Sequence, residues 1–63
     1  MLWLSEIMLQ NPEVESFFDL KQVIAQKAAS GERFFRMDIK PPYTDTPPDW
    51  EDQLEATFTA VVR

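Results

Sequence analysis

A chain of 63 residues with no cysteine and no histidine can form neither disulfide bonds nor metal sites built from thiolate or imidazole ligands. A domain of this length buries only about 60% of the surface that its unfolded chain exposes, so stabilisation by a partner chain is expected. The net charge of −5 argues against a nucleic-acid-binding face or attachment to an anionic membrane surface.

The first predicted element covers residues 2–10, which are apolar on nearly every side. Leucine, methionine and glutamine favour a helix, and Trp3 and Ile7, like Leu4 and Met8, lie four residues apart. We predict a short helix, with a buried strand as the alternative because short apolar runs fit both. The segment lacks the basic start of a signal peptide, so a cytoplasmic protein is expected.

Residues 12–30 carry the clearest helical pattern in the chain. Asn11 is a favourable N-cap, Pro12 suits the first helical position, and Gly31 suits the left-handed position after the last turn. Most apolar side chains fall on one half of this predicted amphipathic helix. These residues are Val14, Phe17, Phe18, Leu20, Ile24, Ala25, Ala28 and Ala29.

Two strands are predicted next, over residues 32–40 and 51–62. Apolar residues recur at every second position in both, at Phe35 and Met37 in the first and from Leu54 onward in the second. Strands close in sequence pair antiparallel, and the helices would cover the apolar face of such a hairpin. We therefore predict a single α+β domain of two layers in the order α-α-β-β, with β-α-β-β as the alternative.

A proline-rich loop, residues 41–50, joins the two predicted strands. It holds four of the five prolines together with Tyr43 and Trp50. Adjacent prolines favour extended backbone, and a rigid loop with exposed aromatic residues loses little entropy on binding. The loop is either a contact surface or a plain connector that stops both strands, and the sequence leaves these alternatives open.

Acidic residues are concentrated around the end of this loop. Their spacing does not match a calcium-binding loop, whose central glycine is also absent, so no metal site is predicted. A solvated surface is the simple interpretation, and imitation of a nucleic-acid backbone is the alternative. The residues of this acidic face are Asp45, Asp49, Glu51, Asp52 and Glu55.

Catalytic chemistry has little support in this sequence. Without histidine or cysteine the chain lacks the usual general base and the strongest ordinary nucleophile, and the serines have no evident activating partner. One glycine excludes a glycine-rich phosphate loop. We therefore predict no enzymatic activity, no catalytic residue, no cofactor and no small-molecule substrate.

The function predicted from these features is non-enzymatic protein–protein interaction, as an adaptor, regulator or assembly factor acting as a homodimer. Candidate contact residues are Trp3, Ile7, Tyr43 and Trp50. The open edge of the strand over residues 51–62 would pair with a second copy to give a four-stranded sheet. The alternative is an acidic inhibitor of a nucleic-acid-processing protein, of phage or plasmid type, which acts through the acidic face and binds no nucleic acid directly.

Overall fold

The structure is a computed structural model, and it describes residues 1–62. Within that range the chain forms three helices and two very short strands. In chain order the elements are β1 (Leu2–Trp3), α1 (Leu4–Gln10), α2 (Phe17–Ala29), β2 (Phe35–Arg36) and α3 (Trp50–Val62). The longest of these helices have 13 residues, and none in the described part of the chain is long and apolar enough to cross a membrane.

The strands β1 and β2 pair in parallel, so the predicted antiparallel hairpin is wrong. Leu2 pairs with Phe35 and Trp3 with Arg36. The Leu2 amide N–H donates to the Phe34 carbonyl over 2.8 Å. Because α1 and α2 lie between the two strands, the chain crosses over and returns in the same direction, which is what a parallel pair requires.

The predicted strand over residues 51–62 is the helix α3, and with it both predicted element orders fail. Leu54 and Phe58, one helical turn apart, are buried, whereas Ala56 and Ala60 between and beyond them are exposed. The apparent alternation came from counting these two alanines as core residues, although alanine is the best helix former. The strand edge predicted to pair with a second copy therefore does not exist.

The helix α2 begins at Phe17, five residues later than predicted. Ser16 is its N-cap, and the Ser16 hydroxyl accepts a hydrogen bond from the Asp19 N–H over 3.1 Å. Asn11 instead ends α1, since its backbone N–H and its side-chain amide both donate to the Ile7 carbonyl, over 3.0 and 2.8 Å. Gly31 follows α2 with φ of +114°, in the region that favours glycine.

Ten buried hydrophobic residues form the core in the described part of the chain, and most of the helix packing is between α2 and α3. The rings of Phe35 and Phe58 stack with their centroids 5.3 Å apart, which joins β2 to α3. Much of the apolar N-terminal segment belongs to this core, because the side chains of Leu2, Leu4 and Ile7 are buried. These ten residues are Leu2, Leu4, Ile7, Val14, Phe17, Leu20, Ile24, Ala28, Leu54 and Phe58.

Replacing Leu54 by alanine tests the place of this residue of α3 in the core. The Leu54 side chain is fully buried, so Leu54→Ala should lower the free energy of unfolding by about 2–5 kcal/mol, as large-to-small core changes do. Urea titration followed by circular dichroism measures this loss. The exposed Val61 of the same helix is the control, since Val61→Ala should change stability by less than about 0.5 kcal/mol. Equal losses would contradict the packing described here.

Candidate functional site

Residues 1–9 and 34–42 run side by side and form the candidate surfaces described below. The pairing of β1 with β2 continues beyond the strands, because Ser5 contacts Asp38 at the same offset of 33 residues. The Asp38 carboxylate accepts from the Ser5 backbone N–H over 3.1 Å and from the Ser5 hydroxyl over 2.6 Å. These bonds, led by the one from the hydroxyl, lower the pKa of Asp38. Asp38 thereby binds the first turn of α1.

A surface groove lies between α1 and the chain that follows β2. Its volume is about 490 Å³, which is within the range of ligand-binding clefts. Two of its lining residues, Leu9 and Ile39, have 80% and 45% of their surfaces exposed. The groove is lined by Ser5, Met8, Leu9, Ile39, Lys40 and Pro42.

The outer sheet face, formed by Trp3, Phe34 and Arg36, is the second exposed apolar surface. Side chains alternate along a strand, so the buried Leu2 and the half-buried Phe35 point inward while these neighbours point outward. Trp3 is 38% exposed and Phe34 is 68% exposed. Trp3 pairs with Arg36 in the sheet register, which places an aromatic ring and a guanidinium on one face.

The proline-rich loop is held against the helices by its polar residues. The Asp45 carboxylate accepts from the Phe17 N–H over 2.7 Å and from the Phe18 N–H over 3.4 Å, at the start of α2. The bond from Phe17 contributes most to lowering the pKa of Asp45. The Thr46 N–H donates to the Tyr43 carbonyl over 3.1 Å. These contacts give the loop a clear structural role as a connector.

The four predicted contact residues have different environments. Trp3 lies on the outer sheet face, whereas Ile7 is buried in the core and offers no side chain to a partner. Tyr43 and Trp50 are half-buried and pack against the core, and burial raises the pKa of the Tyr43 hydroxyl.

Three large exposed apolar residues, Phe34, Leu9 and Ile39, are not among the predicted contact residues. The sequence contains a signal for Phe34, because this residue interrupts the alternation of apolar and polar residues in residues 32–40. No such signal marks Leu9, since the helix predicted over residues 2–10 is apolar on nearly every side. Ile39 continues the period of two set by Phe35 and Met37, which predicts an inward side chain, but the strand ends at Arg36.

The residues of the predicted acidic face fall into two groups, two that accept hydrogen bonds and three that are exposed on α3. Asp45 is engaged at the start of α2, and Asp49 accepts a hydrogen bond from the Gln53 side-chain amide over 3.0 Å. Glu51, Asp52 and Glu55 are exposed on the first turns of α3. Within residues 1–62 no group of three acidic side chains is arranged to hold a metal ion.

The chain matches no protein-family model, no curated protein and no solved structure. The outer sheet face and the groove are therefore interpreted from their own chemistry.

The bonds that Asp45 accepts predict how stability depends on pH. A carboxyl group whose pKa falls below its usual value of 3.8 on folding stabilises the fold above that value. This contribution is lost as the pH falls through the lowered pKa. Thermal unfolding measured from about pH 5 down to about pH 2 should therefore show a smaller acid-induced loss in Asp45→Asn than in the wild type.

Glu13 supplies the control for this measurement. It is exposed and makes no hydrogen bond within the described chain, so Glu13→Gln should follow the wild-type acid profile. A profile for Asp45→Asn as steep as that of the wild type would show that the contact with α2 contributes nothing in solution.

Proposed function

We propose that this protein is a small non-enzymatic protein–protein interaction module that acts as a homodimer through its outer sheet face. The exposure of Trp3 and Phe34 beside Arg36 is the observation that supports this function. Tryptophan and arginine are among the residues most enriched in binding hot spots. Single exposed hydrophobic residues are ordinary, but two large aromatic residues on one small sheet face form a contact surface.

A second copy of the chain is a suitable partner for this face. Leu2 and Phe35 point toward the core, so the inner side of the sheet is already covered while the outer side is open. In a twofold arrangement the same patch meets itself, and Arg36 of one copy could lie over the aromatic rings of the other as a cation–π pair. Dimer formation would also add stability that the core of so short a chain supplies only in part.

The non-enzymatic part of the proposal is supported by the absence of histidine and cysteine from the sequence. A cytoplasmic location belongs to the same proposal, because a chain without cysteine suits a reducing compartment. Within this function the roles that fit are those of an adaptor, a regulator or an assembly factor.

Sedimentation equilibrium at micromolar concentrations tests the dimer. The wild type should sediment as a dimer, and Phe34→Ser should weaken association by about thirtyfold, the effect of losing a hot-spot side chain worth about 2 kcal/mol. Phe18→Ser is the matched control, since Phe18 is similarly exposed, at 64%, but lies on α2. A wild type that remains monomeric, or equal effects of both changes, would contradict the proposed interface.

The second candidate function, an acidic inhibitor of a nucleic-acid-processing protein, is favoured by the geometry of α3. At about 100° per residue, Glu51, Asp52 and Glu55 fall within one arc of roughly 100° on its exposed side. None of the three makes an ion pair within the described chain. Closely spaced free carboxylates of this kind could occupy a cationic groove on another protein.

Salt distinguishes the two functions. Proteins that the immobilised chain retains through these carboxylates should elute at low salt, since screening weakens exposed charge pairs. These proteins should include nucleic-acid-binding proteins. The double change Glu51→Gln with Glu55→Gln should abolish their retention. The double change Glu13→Gln with Glu15→Gln removes the same charge elsewhere and should leave it intact. Retention that survives the first pair excludes the inhibitor function.

A further inference from the structure

We infer that Arg36 determines which partner the outer sheet face accepts, because in the dimer its guanidinium lies on the Trp3 ring of the second copy. Each dimer holds this contact twice. The inference rests on the proposed function, whose partner is a second copy, and it adds the register in which the two faces meet. The groove beside α1 has no part in the contact, because none of its lining residues belongs to the outer sheet face.

The pairing of β1 with β2 places a cation and an aromatic ring side by side on one face. Trp3 and Arg36 are direct partners in the strand register. Arg36 is exposed, and Trp3 keeps 38% of its surface exposed. The Arg36 guanidinium makes no hydrogen bond and no ion pair within residues 1–62. Ring and cation are therefore both accessible to a second chain.

A twofold axis that runs along the strands, midway between β1 and β2, makes this face complementary to itself. In such an interface residue i of one copy contacts residue j of the other, and j contacts i. The rotation exchanges the two strands, so Trp3 of each copy lies opposite Arg36 of the other. Tryptophan is the best aromatic acceptor for a cation, and arginine is the commoner cation in such pairs.

The neighbouring positions along the strands fit the same axis. On one side of the contact, Phe34 meets Met1 of the other copy, and both are exposed and apolar. On the other side, the Asp38 anion lies opposite the neutral Ser5, because these residues follow the same offset of 33. No like charges meet in these three rows.

The Asp38 carboxylate does not compete with the contact, although it lies only two residues from Arg36. The guanidinium is planar, and its N–H donors lie in its plane. A carboxylate approaches the edge of the group, whereas an aromatic ring stacks on its face. Arg36 can therefore interact with both at once.

Other arrangements are less favourable. An axis across the strands, through the row of Trp3 and Arg36, would bring two guanidinium groups together, and like charges repel. An axis across the strands between the rows would set Arg36 on Phe34, a weaker acceptor than tryptophan. A purely apolar partner would bury the Arg36 cation without compensation. Arg36 thus selects a second copy of the same face over such partners.

Exchange of the two residue types between copies tests this register. Trp3→Arg alone should self-associate at least about tenfold more weakly than the wild type, because two cations then face each other at both contacts. An equimolar mixture of Trp3→Arg with Arg36→Trp should form a heterodimer that recovers this loss, since each contact again joins a cation to a ring. Native mass spectrometry separates the heterodimer from both homodimers by mass.

Arg33→Trp is the matched control. Arg33 is also exposed, but it is not opposite Trp3 in the strand register. Its mixture with Trp3→Arg should therefore form no heterodimer tighter than the Trp3→Arg homodimer. Helical circular dichroism checks that each variant folds.

An isotope-filtered NOE experiment on the wild type requires no substitution. In a mixture of labelled and unlabelled chains, the δ-protons of Arg36 in one copy should show NOEs to the indole protons of Trp3 in the other.

Three results would overturn the inference and leave the proposed function intact. They are a wild-type dimer without this intermolecular NOE, failure of Arg36→Trp to rescue Trp3→Arg, and equal rescue by Arg33→Trp. Intermolecular NOEs from Arg36 to Phe34 in place of Trp3 would identify the axis across the strands. A wild type that stays monomeric in sedimentation equilibrium would overturn the proposed function itself and would assign the face to a different protein.

Discussion

Two carboxylates from the second half of the chain bind the first turns of two helices, and the arrangement of the fold depends on them. Asp38 accepts two hydrogen bonds from Ser5 on α1, and Asp45 accepts two from the backbone at the start of α2. The first N–H groups of a helix have no partner within the helix, and its positive end favours an anion. A sheet of two residues per strand can fix little by itself, so these capping contacts position the connection between β2 and α3.

Both candidate surfaces follow from this arrangement. The contact between Ser5 and Asp38 continues the register of β1 and β2 and keeps residues 39–42 beside α1, which creates the groove. The sheet upstream of that contact keeps Trp3 next to Arg36. The contact of Asp45 with α2 holds the proline-rich loop, so the aromatic residues of this loop pack inward. The exposed apolar area is thereby concentrated on residues 1–9 and 34–42.

The sequence predicts helices well where an apolar pattern repeats over several helical turns. It is misleading in residues 51–62, where alanines make the apolar pattern fit the period of a strand as well as that of a helix. The middle of α2 and the helical character of most of residues 2–10 follow from local propensity and apolar spacing. In residues 51–62 the pair Leu54 and Phe58 fits a period of two as well as a helical turn. Burial of Ala56 would have indicated a strand, but whether Ala56 is buried or exposed depends on tertiary packing and not on the local sequence pattern.

Contacts between distant residues were beyond the reach of pattern reasoning. The bonds of Asp38 and Asp45 join residues 33 and 28 positions apart, and nothing near either aspartate marks it as a helix cap. Asp45 was accordingly assigned to an acidic face. Two of the predicted contact residues, Trp3 and Ile7, come from the same apolar N-terminal run, and the structure leaves Trp3 exposed but buries Ile7.

Charge and apolar contact act over different distances on the surface of this chain. Net charge sums over the whole molecule, but a charge acts on its neighbours within about 8–10 Å at ordinary salt. Asp38 keeps its negative charge while it accepts from the neutral N–H and hydroxyl of Ser5, and it lies two residues from both Arg36 and Lys40. The free carboxylates of α3 belong to another element. At the proposed dimer interface, apolar area would supply the affinity, and the local charges would decide which surfaces can meet.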